Sequence, residues 1–171
     1  MMKRLRRNLS VSILLSVSIT LTGLDTDDYL LGTAGADILF AGAGNDILNG
    51  LAGIDQMSGE SGNDIYITDN AGDVVIEAAG QGYDVVYTAV NYTLAAGQEV
   101  EGLVPLDFNG TAPLVLTGNE IANYIIGNAG ANTLNGGGGA DILEARGGAD
   151  TLDGGAGDDA RIGGQGGGTY I

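Results

Sequence analysis

The chain has 171 residues, 32 of them Gly, with 22 acidic residues against 6 basic ones and no Cys or His. Lys3, Arg4, Arg6 and Arg7 fall at the very start and only Arg146 and Arg161 follow, so nothing offers phosphate a cationic face and nucleic-acid binding is excluded, as are disulfide staples, HExxH zinc sites and Ser-His or Cys-His dyads. A net charge of −16 opposes compaction unless counter-cations join the fold, and Gly far above the usual ~7% belongs to turns rather than to a conventional packed core.

The first segment reads MMKRLRRNLSVSILLSVSITLTG. A basic start followed by an apolar run from Leu9 to Leu21 has the outline of a secretory signal peptide, yet Ser10, Ser12, Ser16 and Ser18 interrupt it and no A-x-A cleavage site is clear. It is also too short and too polar for a comfortable membrane span. Residues 19–39 align without a gap on residues 114–134, an offset of 95. Val17 to Thr22 is therefore read as a strand leading into the Gly-rich repeats beyond it, with Val17, Ile19 and Leu21 on one face, and residues 1–16 are set apart as an N-terminal basic and apolar segment.

From Gly32 to Ile67 four nine-residue units run end to end: GTAGADILF, AGAGNDILN, GLAGIDQMS and GESGNDIYI. The fourth residue of each is Gly (Gly35, Gly44, Gly53, Gly62), the sixth is Asp (Asp37, Asp46, Asp55, Asp64), and the eighth is large and apolar (Leu39, Leu48, Met57, Tyr66). Six Gly-rich residues suit a turn, and the last three suit a short strand whose middle side chain points inward. Two units then make one coil. Stacked coils place Asp37 over Asp55 and Asp46 over Asp64 at roughly the 4.8 Å strand spacing, where bare carboxylates repel and turn carbonyls crowd the same space. A hard cation relieves both, and calcium, with roughly six to eight oxygen ligands, suits the donor set better than magnesium. A degenerate unit, GLDTDDYLL at residues 23–31, precedes these four and sets Asp28 in the same slot, able to pair with Asp46.

These units resemble the repeats-in-toxin, or haemolysin-type calcium-binding, nonapeptide. The resemblance implies an all-β fold, a parallel β-roll that binds Ca2+ between one turn and the turn two units later. It implies carbonyl ligands from positions two and four of the first turn and one and three of the second, each with its Asp. One site would use Thr33, Gly35, Asp37, Gly50, Ala52 and Asp55; the next would use Gly42, Gly44, Asp46, Gly59, Ser61 and Asp64.

Residues 68–117 lack the nonapeptide. Val74 to Glu77 and Val85 to Leu94 are rich in β-branched and aromatic residues, punctuated by Gly80, Gly82 and Gly97, and read as a small β insert. Val86, Thr88, Val90, Tyr92 and Leu94 share one face, and Pro105 marks an edge or a break. The segment is expected to be a connector that continues or caps the roll, with a ligand-binding role for its tyrosines as the other reading.

A second block, residues 118–171, holds six units: GNEIANYII, GNAGANTLN, GGGGADILE, ARGGADTLD, GGAGDDARI and GGQGGGTYI. By the same resemblance the best shell is Gly137, Gly139 and Asp141 with Gly154, Ala156 and Asp159. Asn123 and Asn132 keep an oxygen but lose the charge, so Asn128, Gly130 and Asn132 with Ala145, Gly147 and Asp150 should bind more weakly. Gly168 supplies no side-chain oxygen for Asp150. Arg161 takes an inward eighth position, where an unpaired charge is costly to bury, so the last coil is expected to fray or shift. The GTYI ending leaves no terminal cap and suggests part of a longer polypeptide.

These readings make the first block residues 17–67 and the function a calcium-binding repeat module of a secreted, extracellular protein that folds when calcium binds. The resemblance implies export by the type I secretion route. The alternatives are a structural or adhesive spacer in a large surface protein, or an accessory module beside a secreted lipase, protease or polysaccharide epimerase. No G-x-S-x-G, HExxH or convergent acid-base set is present, so the chain itself is not expected to be an enzyme or to insert into a membrane.

Overall fold

A computed structural model describes residues 17–171; the basic and apolar segment 1–16 lies outside the described residues. The described chain is an all-β solenoid built of parallel strands. The Asp-bearing turns keep most strands to three residues, because each Gly-rich hexapeptide reverses the chain before a longer strand can form. In the first block β1 is Thr20–Thr22, β2 Tyr29–Leu31, β3 Ile38–Ala43, β4 Ile47–Asn49, β5 Gln56–Ser61 and β6 Ile65–Thr68. The middle segment gives β7 Val74–Ile76, β8 Val85–Thr88, β9 Tyr92–Thr93 and β10 Gly102–Pro105. The second block gives β11 Val115–Thr117, β12 Tyr124–Ile126, β13 Thr133–Asn135, β14 Ile142–Glu144, β15 Thr151–Asp153, β16 Ala160–Ile162 and β17 Thr169–Tyr170.

Alternate strands stack. The even-numbered strands β2 to β16 form one eight-stranded sheet, which amounts to eight coils, and it runs unbroken through both blocks and the segment between them. The odd-numbered strands form two shorter sheets, β1-β3-β5-β7 and β9-β11-β13-β15-β17. Within the repeats every pairing advances by two nonapeptides, as in Ile38↔Gln56, Ile47↔Ile65 and Thr133↔Thr151. The middle segment departs from that step, with Ile65↔Val85, Val85↔Gly102 and Gly102↔Tyr124. The second side of the roll breaks there, between β7 and β9, where the Tyr92 hydroxyl donates to the Asp73 carbonyl at 2.9 Å.

The core is a ladder of one inward side chain per strand. Leu30, Leu48, Tyr66, Val86, Leu103, Ile125 and Leu143 descend the long sheet; Leu39, Met57 and Val75, then Tyr92, Leu116, Leu134 and Leu152, descend the short ones. Burying each aliphatic member contributes ~2 kcal/mol. In the middle segment Val86, Thr88, Tyr92 and Leu94 are buried, but Val90 is only half-buried and the five do not share one strand face: the chain bends at Ala89 and Val90, and β8 and β9 join different sheets. Pro105 closes β10 inside the long sheet, at the strand's last residue, where its missing N–H interrupts least.

The final coil departs from expectation. It neither frays nor shifts: Leu143↔Arg161 and Leu152↔Tyr170 hold the same register as the coils before them. Arg161 escapes the burial penalty because its side chain is exposed and its Nη1 donates to the Ile171 carbonyl at 2.6 Å. Among the described residues no helix is long and apolar enough to cross a membrane.

Candidate metal centres

The turns stack as closely as the strands. At Gly62 the backbone has φ of 138°, a conformation that L side chains rarely adopt, and a Cβ would collide with the carbonyl oxygen of Gly44 in the preceding coil. Only the absence of a side chain lets the two turns nest, and nesting brings the Asp residues into columns.

Each column is threaded by one kind of hydrogen bond. The backbone N–H of a sixth-position residue donates to Oδ1 of the residue that occupies the same slot one coil later. Asp28 N donates to Asp46 at 2.7 Å, Asp37 N to Asp55 at 2.8 Å, Asp46 N to Asp64 at 2.7 Å and Asp141 N to Asp159 at 3.0 Å. Every Asp pair expected from the spacing is thus brought together. The first turn of the Asp37 pair also closes on itself, with the Thr33 hydroxyl donating to Asp37 Oδ2 at 3.0 Å.

The second carboxylate oxygen is where most of the columns are incomplete. Oδ2 of Asp46, Asp55, Asp64, Asp84, Asp141 and Asp150 is buried and has no hydrogen-bond partner. A buried charged oxygen left so costs several kcal/mol. First-position glycines pack directly against these atoms: a Cβ at Gly50, Gly59 or Gly136 would collide with Oδ2 of Asp55, Asp64 or Asp141, so only Gly lets the carboxylate take that position. Burial pushes the Asp55 carboxyl up to about 6, with Asp73 and Asp37 adding to it against the Asp37 N–H. Burial likewise raises Asp46, Asp64 and Asp141. Among the described residues the basic side chains are Arg146 and Arg161, engaged with Glu144 and with the Ile171 carbonyl, and neither neutralises the columns.

A sequence profile settles the relationship. The RTX calcium-binding nonapeptide repeat matches in four copies, over residues 22–57, 44–75, 117–152 and 136–170, together more than half of the chain. The chain belongs to the RTX calcium-binding nonapeptide repeat family. No curated protein matches it. The family implies calcium, and the donor set of these RTX turns fits that ion: hard oxygen donors only, anionic, and orphaned at Oδ2 in most of the columns. Bound there, calcium would supply the positive charge that the columns lack.

The carbonyl donors expected from the resemblance lie on the same stacked coils, although Gly42, Gly59 and Ser61 fall in the extended ends of β3 and β5 and not in turns. Gly42 and Gly44 belong to the coil beneath Gly59 and Ser61, with Ala43↔Ser61 in register, and the Ser61 carbonyl already accepts the Gly44 N–H at 2.9 Å. The Gly137 carbonyl accepts the Ala156 N–H at 2.8 Å, one turn below Gly154. Gly35 stacks against Gly53 and Gly32 against Gly50, which sets the Thr33–Asp37 turn over the Gly50–Ala52–Asp55 turn; Gly139 stacks likewise against Gly157.

The Asn slots solve the same problem differently. Asn132 Nδ2 donates to the carbonyls of Asn128 at 3.1 Å and Gly130 at 2.7 Å, the two groups that the resemblance would aim at a cation. Asn123 Nδ2 donates to the Val100 carbonyl at 2.9 Å. Here an amide hydrogen stands where other turns leave a need for positive charge.

Sequence reasoning missed Asp73, Glu77 and Asp84. Carrying the nine-residue register one unit past Ile67 gives TDNAGDVVI, with Asp73 in the sixth slot and Val75 in the eighth; Asp73 Oδ1 accepts the Asp55 N–H at 3.0 Å. Asp84 Oδ1 accepts the Asp64 N–H at 2.8 Å, but two extra residues displace it from the period, so counting by nine does not reach it.

Proposed function

We propose that this RTX chain is a module of a secreted protein that stays disordered where calcium is scarce and folds where calcium is plentiful. The observation that carries the reading is the set of buried, unpartnered Oδ2 atoms in successive turns. Without a cation their desolvation and mutual repulsion act against the folded state; binding to that state alone stabilises it by mass action. Extracellular calcium modules bind at about 10⁻⁴ to 10⁻³ M, the range that separates the outside of a cell from its interior.

The ions are assigned to the Asp37/Asp55, Asp46/Asp64, Asp28/Asp46 and Asp141/Asp159 turns, with the carbonyls of Thr33, Gly35, Gly50, Ala52, Gly42, Gly44, Gly59, Ser61, Gly137, Gly139, Gly154 and Ala156. Asn132/Asp150 is the weakest position, because Asn132 brings no charge and its own amide already donates to the carbonyls of Asn128 and Gly130. Residues 17–67 and 118–171 act as the binding blocks, and residues 68–117 carry the solenoid between them. The repetition at an offset of 95, in which β11, β12 and β13 reprise β1, β2 and β3, also suits a spacer in a long surface protein.

The test is a calcium titration of the chelator-treated chain followed by far-UV circular dichroism. A β signal that grows with calcium and vanishes on chelation is expected. A complete signal in excess chelator would refute calcium-driven folding.

A further inference from the structure

We propose that Asp64, Glu77 and Asp84 form a calcium site of their own at the exit from the first block, tighter than the nonapeptide sites. The proposal rests on the reading of the repeats as calcium-binding. It concerns residues that the family pattern does not reach, since Glu77 and Asp84 fall between the matched stretches ending at residue 75 and beginning at residue 117.

The register explains how Glu77 arrives there. In β5 and β7 Ser58 pairs with Ile76, so Glu77 occupies the first-position slot held by Gly59 one coil earlier. At that slot the Cβ direction leads to the Oδ2 of the unit's own Asp, as a Cβ at Gly59 would meet Asp64. Where a repeat has no side chain, this unit has Glu. The coil is correspondingly longer: Ile65 pairs with Val85, two residues more than the nonapeptide step.

The three carboxylates converge. One oxygen of each lies within 4.8 Å of an oxygen of both others, a span that one cation with ligand distances of about 2.3 to 2.6 Å can bridge. Asp64 and Asp84 are 1% exposed and Glu77 2%. Each is anchored through one oxygen: Asp64 Oδ1 by the Asp46 N–H at 2.7 Å, Asp84 Oδ1 by the Asp64 N–H at 2.8 Å, and Glu77 Oε1 by the Tyr66 hydroxyl. The other oxygen of each, Asp64 Oδ2, Glu77 Oε2 and Asp84 Oδ2, is buried without any partner. The Tyr66 hydroxyl is itself fixed by the Gly59 N–H at 2.6 Å, so Glu77 is held in place before any ion arrives.

Three anionic ligands in place of two raise the affinity for a hard cation, because ligand charge sets calcium affinity across otherwise similar sites. The site is therefore the first to fill, and it locks the turn where the chain leaves the repeat register.

Calorimetric calcium titration of the whole chain is compared with Glu77→Gln, which keeps the shape and an oxygen for Tyr66, and with Glu77→Gly, which restores the repeat residue. Terbium emission excited through tyrosine, with and without Tyr66→Phe, is read alongside. The expected result is loss of the tightest class of sites, or its weakening by about tenfold or more, in both Glu77 variants, with the weaker sites retained and with terbium emission that depends on Tyr66. Unchanged isotherms in the variants, or emission indifferent to Tyr66, overturn the site while leaving the repeats as calcium ligands. A wild-type chain that binds no calcium overturns both readings.

Discussion

At residue scale the decisive contrast is between Asp and Asn in one slot. Both offer Oδ1 to the backbone of the coil before: Asp141 accepts the Asn123 N–H at 2.7 Å, and Asn132 accepts the Leu114 N–H at 3.2 Å. They differ in the second atom. The Asp141 Oδ2 is left buried and bare, whereas Asn132 Nδ2 satisfies two carbonyls. Asn132→Asp turns two hydrogen bonds into oxygen–oxygen oppositions that only a cation relieves. The variant is expected to need more calcium than the parent to reach half of its β signal and to take up one more calcium ion when saturated, read by calcium-titrated circular dichroism and calorimetric stoichiometry; identical stoichiometry would show that the amide does not stand in for the ion.

At the scale of one turn and strand, the second position of several units bends the backbone into the left-handed region, while Thr33, Asn119 and Asn128 at the same position do not. Gly137 and Gly155 adopt it with φ of 95° and 82°, but Leu51, Glu60 and Arg146 adopt it too, with φ of 61°, 67° and 71°. Side chains there carry strain of about 1 kcal/mol or more. Leu51 is on the surface and takes no part in the core ladder, so its replacement loses little packing. Leu51→Gly should raise stability in saturating calcium by ~1 kcal/mol, measured by urea denaturation; a lower midpoint would mean that the Leu51 side chain contributes more than its backbone costs.

Across the whole molecule, the columns act together on the response to pH. Burial raises Asp55 and Asp84 to about 6, and it raises Asp46, Asp64 and Asp141 above their ordinary value of 3.8. The calcium-free folded chain therefore binds more protons than the unfolded chain. Burial raises Glu77 further, to about 9, so stability is fullest below about pH 4, falls as the pH rises through about 6 and goes on falling toward 9. Calcium reverses the sign, since it displaces those protons and binds better as they leave. Calcium-induced folding followed by circular dichroism at a series of pH values should need less calcium as the pH rises across that window; a midpoint indifferent to pH would mean that the carboxylates are not the groups that calcium engages.

Residue spacing alone was enough to read the repeat, the parallel roll, the inward ladder of Leu39, Leu48, Met57 and Tyr66, and the pairing of Asp37 with Asp55 and Asp46 with Asp64. A strict period of nine maps sequence distance directly onto spatial stacking, so local spacing is enough. Where the period fails, past Ile76 and until the second block begins, that mapping is lost. It took the folded chain to show that the long sheet continues through residues 68–117, that Arg161 keeps the register with its side chain exposed and bonded to the Ile171 carbonyl, and that Glu77 and Asp84 arrive beside Asp64. Those outcomes depend on how coils of unequal length close over one another, and strand pairing and burial between distant residues fix that closure.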